Sequence, residues 1–325
     1  MTGPDATGPD ATGPDATSSD ATGPRIEVSG LTKRFGDVVA VDGAGFTVEP
    51  GRVTGFLGPN GAGKTTTMRM IVGLVAPTSG TATVGGRRYR DIPNPSATVG
   101  AVFDASTFHP AHTARDHLRV YAAMGGHPDG RVDELLGVLG LAAAADRRTG
   151  GFSTGMRQRL NLATALLGDP PVLLLDEPGN GLDPEGTAWL RTFLRRLAGE
   201  GRTILFSSHA LGEVRQIADD VVVIRGGRVV AAGALDGLAG AAPVVLVRSP
   251  DAAELARTLV REAPPGRPVR AEPAGPDAPE ELRVHGLDAP GVAALAAAHG
   301  LRVHGLSTEE LDLERLFLEL TGGAR

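Results

Sequence analysis

The sequence has no cysteine, which excludes a disulfide framework and any metal site built on thiolates, and agrees with a reducing cytosol. No window approaches the roughly 20 consecutive apolar residues that a membrane-spanning helix needs. The N-terminus also lacks a basic region followed by an apolar core. The expectation is a chain that is soluble, or reaches a membrane only through a partner. Basic charge is short as well: 32 Lys+Arg against 38 Asp+Glu leave a net charge of −6, so no global field recommends nucleic acid. Lysine is nearly absent, Lys33 and Lys64 being the only two in a chain rich in Ala, Gly and Arg. A lysine kept in a composition that replaces lysine by arginine points to a need for its compact ammonium.

What is present falls into three parts. Residues 1–24 open with the unit Thr-Gly-Pro-Asp-Ala repeated from Thr2 to Ala16, whose small polar residues, prolines and acids offer too little apolar area to offset the entropy of ordering; a disordered tail is expected. From 25 to 240 apolar strand-like runs alternate with helical stretches, the pattern of a mainly parallel sheet covered on both faces. Strands are expected at 25–28, 46–48, 53–57, 172–175, 203–206 and 221–224, and Gly226-Gly227 signals a hairpin. Within this region residues from about 105 to 168 read as a helical insert, with Leu118, Tyr121 and Ala122, then Val132, Leu135, Leu136 and Leu139, at helical spacing. From 241 to 325 strands at 244–248, 281–285 and 301–306 alternate with helices at 252–261, 291–299 and 308–320, suggesting a small α+β unit of the split βαβ type.

Gly58-Pro59-Asn60-Gly61-Ala62-Gly63-Lys64-Thr65, followed by Thr66, fits the phosphate-loop pattern after a strand and before a helix. Glycines let the backbone turn its N–H groups inward, and the helix begins with its positive end at the same point. Lys64 is expected to hold the β and γ phosphates, and the Thr65 hydroxyl to ligate Mg²⁺. Val172 to Asp176 followed by Glu177 is an apolar strand ending in two acids. Such a strand delivers Asp176 to the carboxyl edge of the sheet, beside Mg²⁺, and leaves Glu177 to polarise the attacking water. These two motifs indicate ATP or GTP and do not distinguish among the many unrelated nucleotide hydrolases.

Phe152-Ser153-Thr154-Gly155-Met156-Arg157-Gln158-Arg159, with Ser153 placed 23 residues before Asp176, resembles the signature segment of ATP-binding-cassette (ABC) proteins. The resemblance covers about Ile26 to Leu238 and implies the P-loop ABC ATPase fold, α/β with an antiparallel β subdomain and a helical subdomain. It implies ATP and Mg²⁺ as ligands and a second copy paired head to tail, with Ser153 and Gly155 of one copy closing over the γ-phosphate of the other. Phe152, Thr154 and Met156 depart from the family's usual Leu-Ser-Gly-Gly-Gln. In the same family, Gly181-Leu182-Asp183-Pro184 resembles the loop through which the subunits communicate. His209, ending Ser207-Ser208-His209, matches the histidine that contacts the γ-phosphate and catalytic water, and Phe35 the aromatic that stacks on adenine.

Asp104 stands where the family usually has a glutamine bridging Mg²⁺ and the membrane partner. A carboxylate can ligate the metal or its water but cannot donate as an amide does. His109, His112, His117 and His127 cluster near the helical insert without metal-site spacing; insert surfaces in this family touch the membrane partner. One cassette, no membrane span and a C-terminal extension ending near Thr321 resemble the ATP-binding subunits of daunorubicin and bacitracin resistance exporters. By that resemblance the chain is an ATPase, bound to a separate transmembrane permease on the inner face of the plasma membrane. Two rivals are a soluble cassette ATPase acting on nucleic acid or the ribosome, and a weakly hydrolysing regulatory cassette protein.

Overall fold

The computed structural model describes residues 23–103, 108–235, 244–262, 269–274, 278 and 280–309. The repeat tail up to residue 22, Asp104 and residues 310–320 of the expected last helix lie outside them.

Strand β1 (Ile26–Phe35) pairs antiparallel with both β2 (Val38–Val48) and β4 (Ser79–Val84) in a three-stranded sheet. The sequence pattern showed only the first residues of β1 and the last of β2. Their junction is a two-residue turn between Phe35 and Val38, with Gly36 at φ +57 supplying the left-handed conformation. The second sheet has six strands. Here β5 (Val99–Val102), β6 (Val172–Leu175), β7 (Thr203–Ser208), β3 (Val53–Leu57) and β8 (Asp220–Arg225) run parallel in that spatial order, and β9 (Arg228–Ala234) closes the edge antiparallel. The expected hairpin at Gly226-Gly227 joins β8 to β9, both glycines having positive φ.

β6 is apolar throughout because it is buried on both faces. Leu173 and Leu175 enter one core with Ile204 and Phe206, while Val172 and Leu174 enter a second with Phe56, Met68 and Leu205. Truncating any of these leucines to alanine removes contacts on one face of a closed strand, a loss of about 2–5 kcal/mol. Helix α1 (Lys64–Ile71) leaves the end of β3 through the glycine loop.

The helical insert consists of α2 (Ala114–Gly125), α3 (Gly130–Val138) and α4 (Thr154–Ala165). α2 starts at Ala114 because Thr113 and Asp116 form a reciprocal capping box. The helical periodicity places Leu118, Ala122, Val132, Leu135, Leu136 and Leu139 in the core as expected, but Tyr121 lies on the exposed side. His117 is buried between Phe108 and Tyr121, ring centroids 4.8 Å on each side, with Nε2 3.1 Å from Thr164 Oγ1. Burial, with a smaller contribution from His112, pushes its pKa down to about 4. Helices α5 (Pro184–Gly199) and α6 (Leu211–Ile217) flank β7 in sequence and pack into the same core.

In the C-terminal region β10 (Val244–Arg248), α7 (Ala252–Arg261), β11 (Arg270–Pro273), β12 (Glu281–His285), α8 (Ala289–Ala298) and β13 (Gly305–Glu309) follow one another. The antiparallel sheet order β11-β12-β10-β13 is that of a split βαβ unit. The last strand begins four residues later than the sequence pattern suggested. Asp251 holds the Arg302 backbone N–H and guanidinium, and Ser249 Oγ donates to the Arg302 carbonyl, so residues 301–303 stay off the ladder; the His304 N–H donates to the Arg248 carbonyl and strand pairing starts at Gly305. A helix from Thr308 is therefore corrected at its start, since Thr308 and Glu309 belong to β13.

Candidate functional site

The parallel strands deliver their carboxyl ends to one edge, and there a cleft of about 590 Å³ opens. Its floor is the loop between β3 and α1. Gly58 admits no side chain, because a Cβ would come 2.4 Å from the Ile224 carbonyl oxygen, and Gly63 combines φ +108 with a position where a Cβ would come 2.6 Å from that of Ala40. The glycines at these two places are therefore required by packing against β8 and β2 as well as by backbone conformation. Asn60, Gly61, Ala62, Gly63, Lys64, Thr65 and Thr66 all line the cleft.

Lys64 is only 6% exposed. Its Nζ donates to the carbonyls of Gly58 at 2.7 Å and Pro59 at 3.3 Å and lies 3.4 Å from Glu177 Oε1. Gly58 and Pro59 thus act on the site through their carbonyls rather than by lining it. The two acids after β6 occupy different places. Asp176 Oδ2 accepts the Thr65 hydroxyl at 2.7 Å, and its Oδ1 accepts that of Ser207 at 2.5 Å. Ser207 Oγ also accepts the Glu177 backbone N–H at 2.9 Å. Glu177 sits at φ +49, a left-handed conformation that disfavours a side chain and is held here by that bond and its neighbours. Its Oε2 is 2.8 Å from His209 Nδ1.

Lys64, Thr65, Asp176, Glu177 and His209 therefore converge, as their motifs suggested. Ser153 and Gly155 do not line this cleft. Ser153 caps α4, its Oγ accepting from the Met156 N–H at 3.3 Å, and Gly155 faces Leu182. Phe35 also stays out: its ring is half exposed with Lys33 Nζ 4.8 Å from the centroid. Asp183 caps α5 by accepting the Gly186 N–H at 2.7 Å. Sequence reasoning missed Ser207, Arg69 and Asn180; Arg69 and Asn180 line the cleft, as do Thr154, Arg157 and Gln158 of the signature segment. Ser207 lay in plain view beside His209, but nothing local marks a serine as the bridge between two acids 30 residues away.

The donor set suits a magnesium nucleotide. Thr65 and Asp176 offer hard oxygens 2.7 Å apart, the ligand type Mg²⁺ prefers, and the backbone at the start of α1 faces the cleft with its positive end.

A family model described as "ABC transporter" matches residues 41–180, and one described as a domain of unknown function matches residues 243–314. The bacitracin transport ATP-binding protein BcrA of Bacillus licheniformis is 41% identical over 62% of this chain and 67% of its own. The ABC transporter ATP-binding protein NatA of Bacillus subtilis (strain 168) is 38% identical over 66% of this chain and 91% of its own. A Nod factor export ATP-binding protein I of Burkholderia lata is 39% identical over 71% and 78%. Among solved structures, an ATP-binding subunit of an ABC transporter aligns with TM-score 0.60 and 29% identity, covering 66% of this chain and 91% of that one. Identity of this level across most of a relative's length, joined to the geometry of the cleft, gives the chain its family: it belongs to the ABC transporter ATP-binding proteins, and the chemistry at its sheet edge is ATP hydrolysis.

Proposed function

We propose that two copies of this chain, paired head to tail, power a separate transmembrane permease that exports a drug- or antibiotic-like compound. Each chain is then peripheral, held on the inner face of the plasma membrane through the permease. One observation carries the pairing. The cleft that gathers Lys64, Asp176 and Glu177 is bordered by Thr154, Arg157 and Gln158 of the chain's own signature segment but not by Ser153 and Gly155; a second copy would supply that serine and glycine. Relatives named for bacitracin transport and for Nod factor export support the export reading. None of those named here points to nucleic acid or the ribosome.

Within the cleft, Lys64 exchanges its Gly58, Pro59 and Glu177 contacts for the β and γ phosphate oxygens. Backbone N–H groups from Gly61 to Thr66 receive the remaining phosphate oxygens, and Asn60 borders them. Thr65 and Asp176 would hold Mg²⁺, which when bound neutralises charge on the β and γ phosphates. Glu177 accepts the proton of the attacking water, and His209, bonded to it through Nδ1, orients it beside the γ-phosphate. Phe35 offers the adenine the ring face opposite Lys33. Asp104 is assigned to the metal or its water by the same family resemblance. For the permease, the fitting surface is a second cleft of about 370 Å³ between the insert and the sheet, bordered by Tyr89, Tyr121, Met124 and His127. His117, buried in the insert core, is excluded from such a contact.

Lys64→Ala tests the assignment. The full chain bearing it should lose measurable binding of a fluorescent ATP analogue while keeping its far-ultraviolet spectrum, and near-normal affinity would remove the phosphate-loop reading. Recovery of a polytopic membrane protein with the wild-type chain from solubilised membranes tests the permease.

A further inference from the structure

The carboxyl of Glu213, in the first turn of α6, lies between the two segments that carry the reaction. Its Oε2 is 2.5 Å from Ser208 Oγ, and Ser208 directly precedes His209. The same hydroxyl accepts the Ala210 N–H at 3.0 Å, so the turn that presents His209 is tied to Glu213. On its other side the carboxyl rests on the backbone of Gly179, two residues after Glu177; a Cβ there would fall 1.7 Å from Glu213 Oε1. That oxygen is buried without a hydrogen-bond partner. Leaving a buried polar atom unpaired is destabilising, which packing alone does not explain when leucine has nearly the same volume.

We propose that Glu213 is a positioning residue for hydrolysis, a wedge between Ser208 and Gly179 that fixes the spacing of His209 and Glu177. The proposal rests on Glu177 as the base and His209 as its partner. Burial raises the Glu213 pKa above the ordinary glutamate range; the Ser208 bond and His209 oppose the rise, and the nearby Glu177 charge reinforces it. Ser207 ties the end of β7 to Asp176 and to the Glu177 N–H, and Glu213 extends that link one step further, from Ser208 to the loop at Gly179. A side chain at Gly179 would have to displace the carboxyl from this place.

The test compares Glu213→Ala, Glu213→Gln and Ser208→Ala in the full chain with Mg-ATP, reading kcat, KM and the affinity for a fluorescent ATP analogue. Misplacing a catalytic group by an ångström costs on the order of 100-fold. Glu213→Ala is therefore expected to lower kcat about 10- to 100-fold with nucleotide affinity within about twofold of wild type. Glu213→Gln keeps the shape and still accepts the Ser208 hydroxyl, so it should retain kcat within about threefold. The double variant Ser208→Ala/Glu213→Ala should be no slower than Glu213→Ala, as expected for residues acting through one contact. Should Glu213→Ala not fold, Glu213→Asp, one methylene short of Ser208, carries the same expectation. Wild-type kcat in Glu213→Ala beside an inactive Glu177→Gln overturns the wedge and leaves the site standing. So does a Glu213→Gln as impaired as Glu213→Ala, or affinity falling in step with kcat. An active Glu177→Gln overturns the reading beneath it.

Discussion

Glu177→Gln separates catalysis from binding with the smallest change of shape. Glutamine keeps the length and planarity of the side chain, and the backbone bond from residue 177 to Ser207 Oγ is untouched. The strained φ of +49 is no harder for glutamine than for glutamate. The fold therefore loses the partly exposed pair with His209, worth about 0–1 kcal/mol, and the Glu177 charge beside Lys64. Turnover loses the general base, worth roughly 10²- to 10⁴-fold, or about 3–5 kcal/mol of barrier. Nucleotide binding moves the other way. Glu177 Oε1 is 3.4 Å from Lys64 Nζ in the present arrangement, and removing its charge frees the lysine for phosphate. The variant should bind ATP at least as tightly as wild type, hydrolyse it at 1% or less of the wild-type rate as an order-of-magnitude figure, and accumulate as an ATP-bound dimer. Phosphate release, analogue binding and size-exclusion chromatography with ATP read the three quantities. Turnover within about threefold of wild type would refute Glu177 as the base, and affinity lost in proportion to turnover would make the carboxylate structural.

The shared site predicts complementation: Lys64→Ala and Gly155→Asp chains, each inactive alone, should hydrolyse ATP when mixed, because the mixed pair contains one intact loop opposite one intact signature. Mixtures no more active than their components would refute the head-to-tail pairing. His117 predicts an acid limb in stability. Its folded pKa of about 4 lies below the ordinary histidine value of about 6.5, so the unfolded chain takes up the proton first. Stability from this residue is intact above about pH 6.5 and falls as pH drops toward 4, by about 3 kcal/mol in all. Urea midpoints at pH 7 and pH 5 should differ more in wild type than in His117→Gln; equal differences would exclude His117 as the cause.

The helical insert shows how burial and periodicity agree and where they part. Leu118, Ala122 and the α3 leucines recur at helical spacing and all reach the core, but Tyr121 shares that spacing and stays exposed beside the second cleft. Periodicity reports a face, and an edge of that face was free to serve a cleft instead of the core. β1 and β2 were underread for a different reason. The residues next to their turn, from Lys33 to Val38, are polar or exposed, so the hairpin end shows no apolar alternation for a local pattern to read.

What is contiguous was legible from the residues alone. The run from Gly58 to Thr66 carries its own strand, turn and helix start, Asp176 and Glu177 follow the strand that must be buried, and the signature segment with its order and spacing singles out one family of nucleotide hydrolases. What those segments do to each other came from the fold. It placed Ser207 between Asp176 and Glu177, parked Lys64 on two carbonyls and a carboxylate, kept Phe35, Ser153 and Gly155 out of the cleft, and set Glu213 against Gly179. Apart from the two carbonyls in Lys64's own loop, those relations join residues tens to more than a hundred positions apart, through a parallel sheet whose strand order does not follow the chain. Distances across such a sheet are fixed by packing, and packing has no local signature.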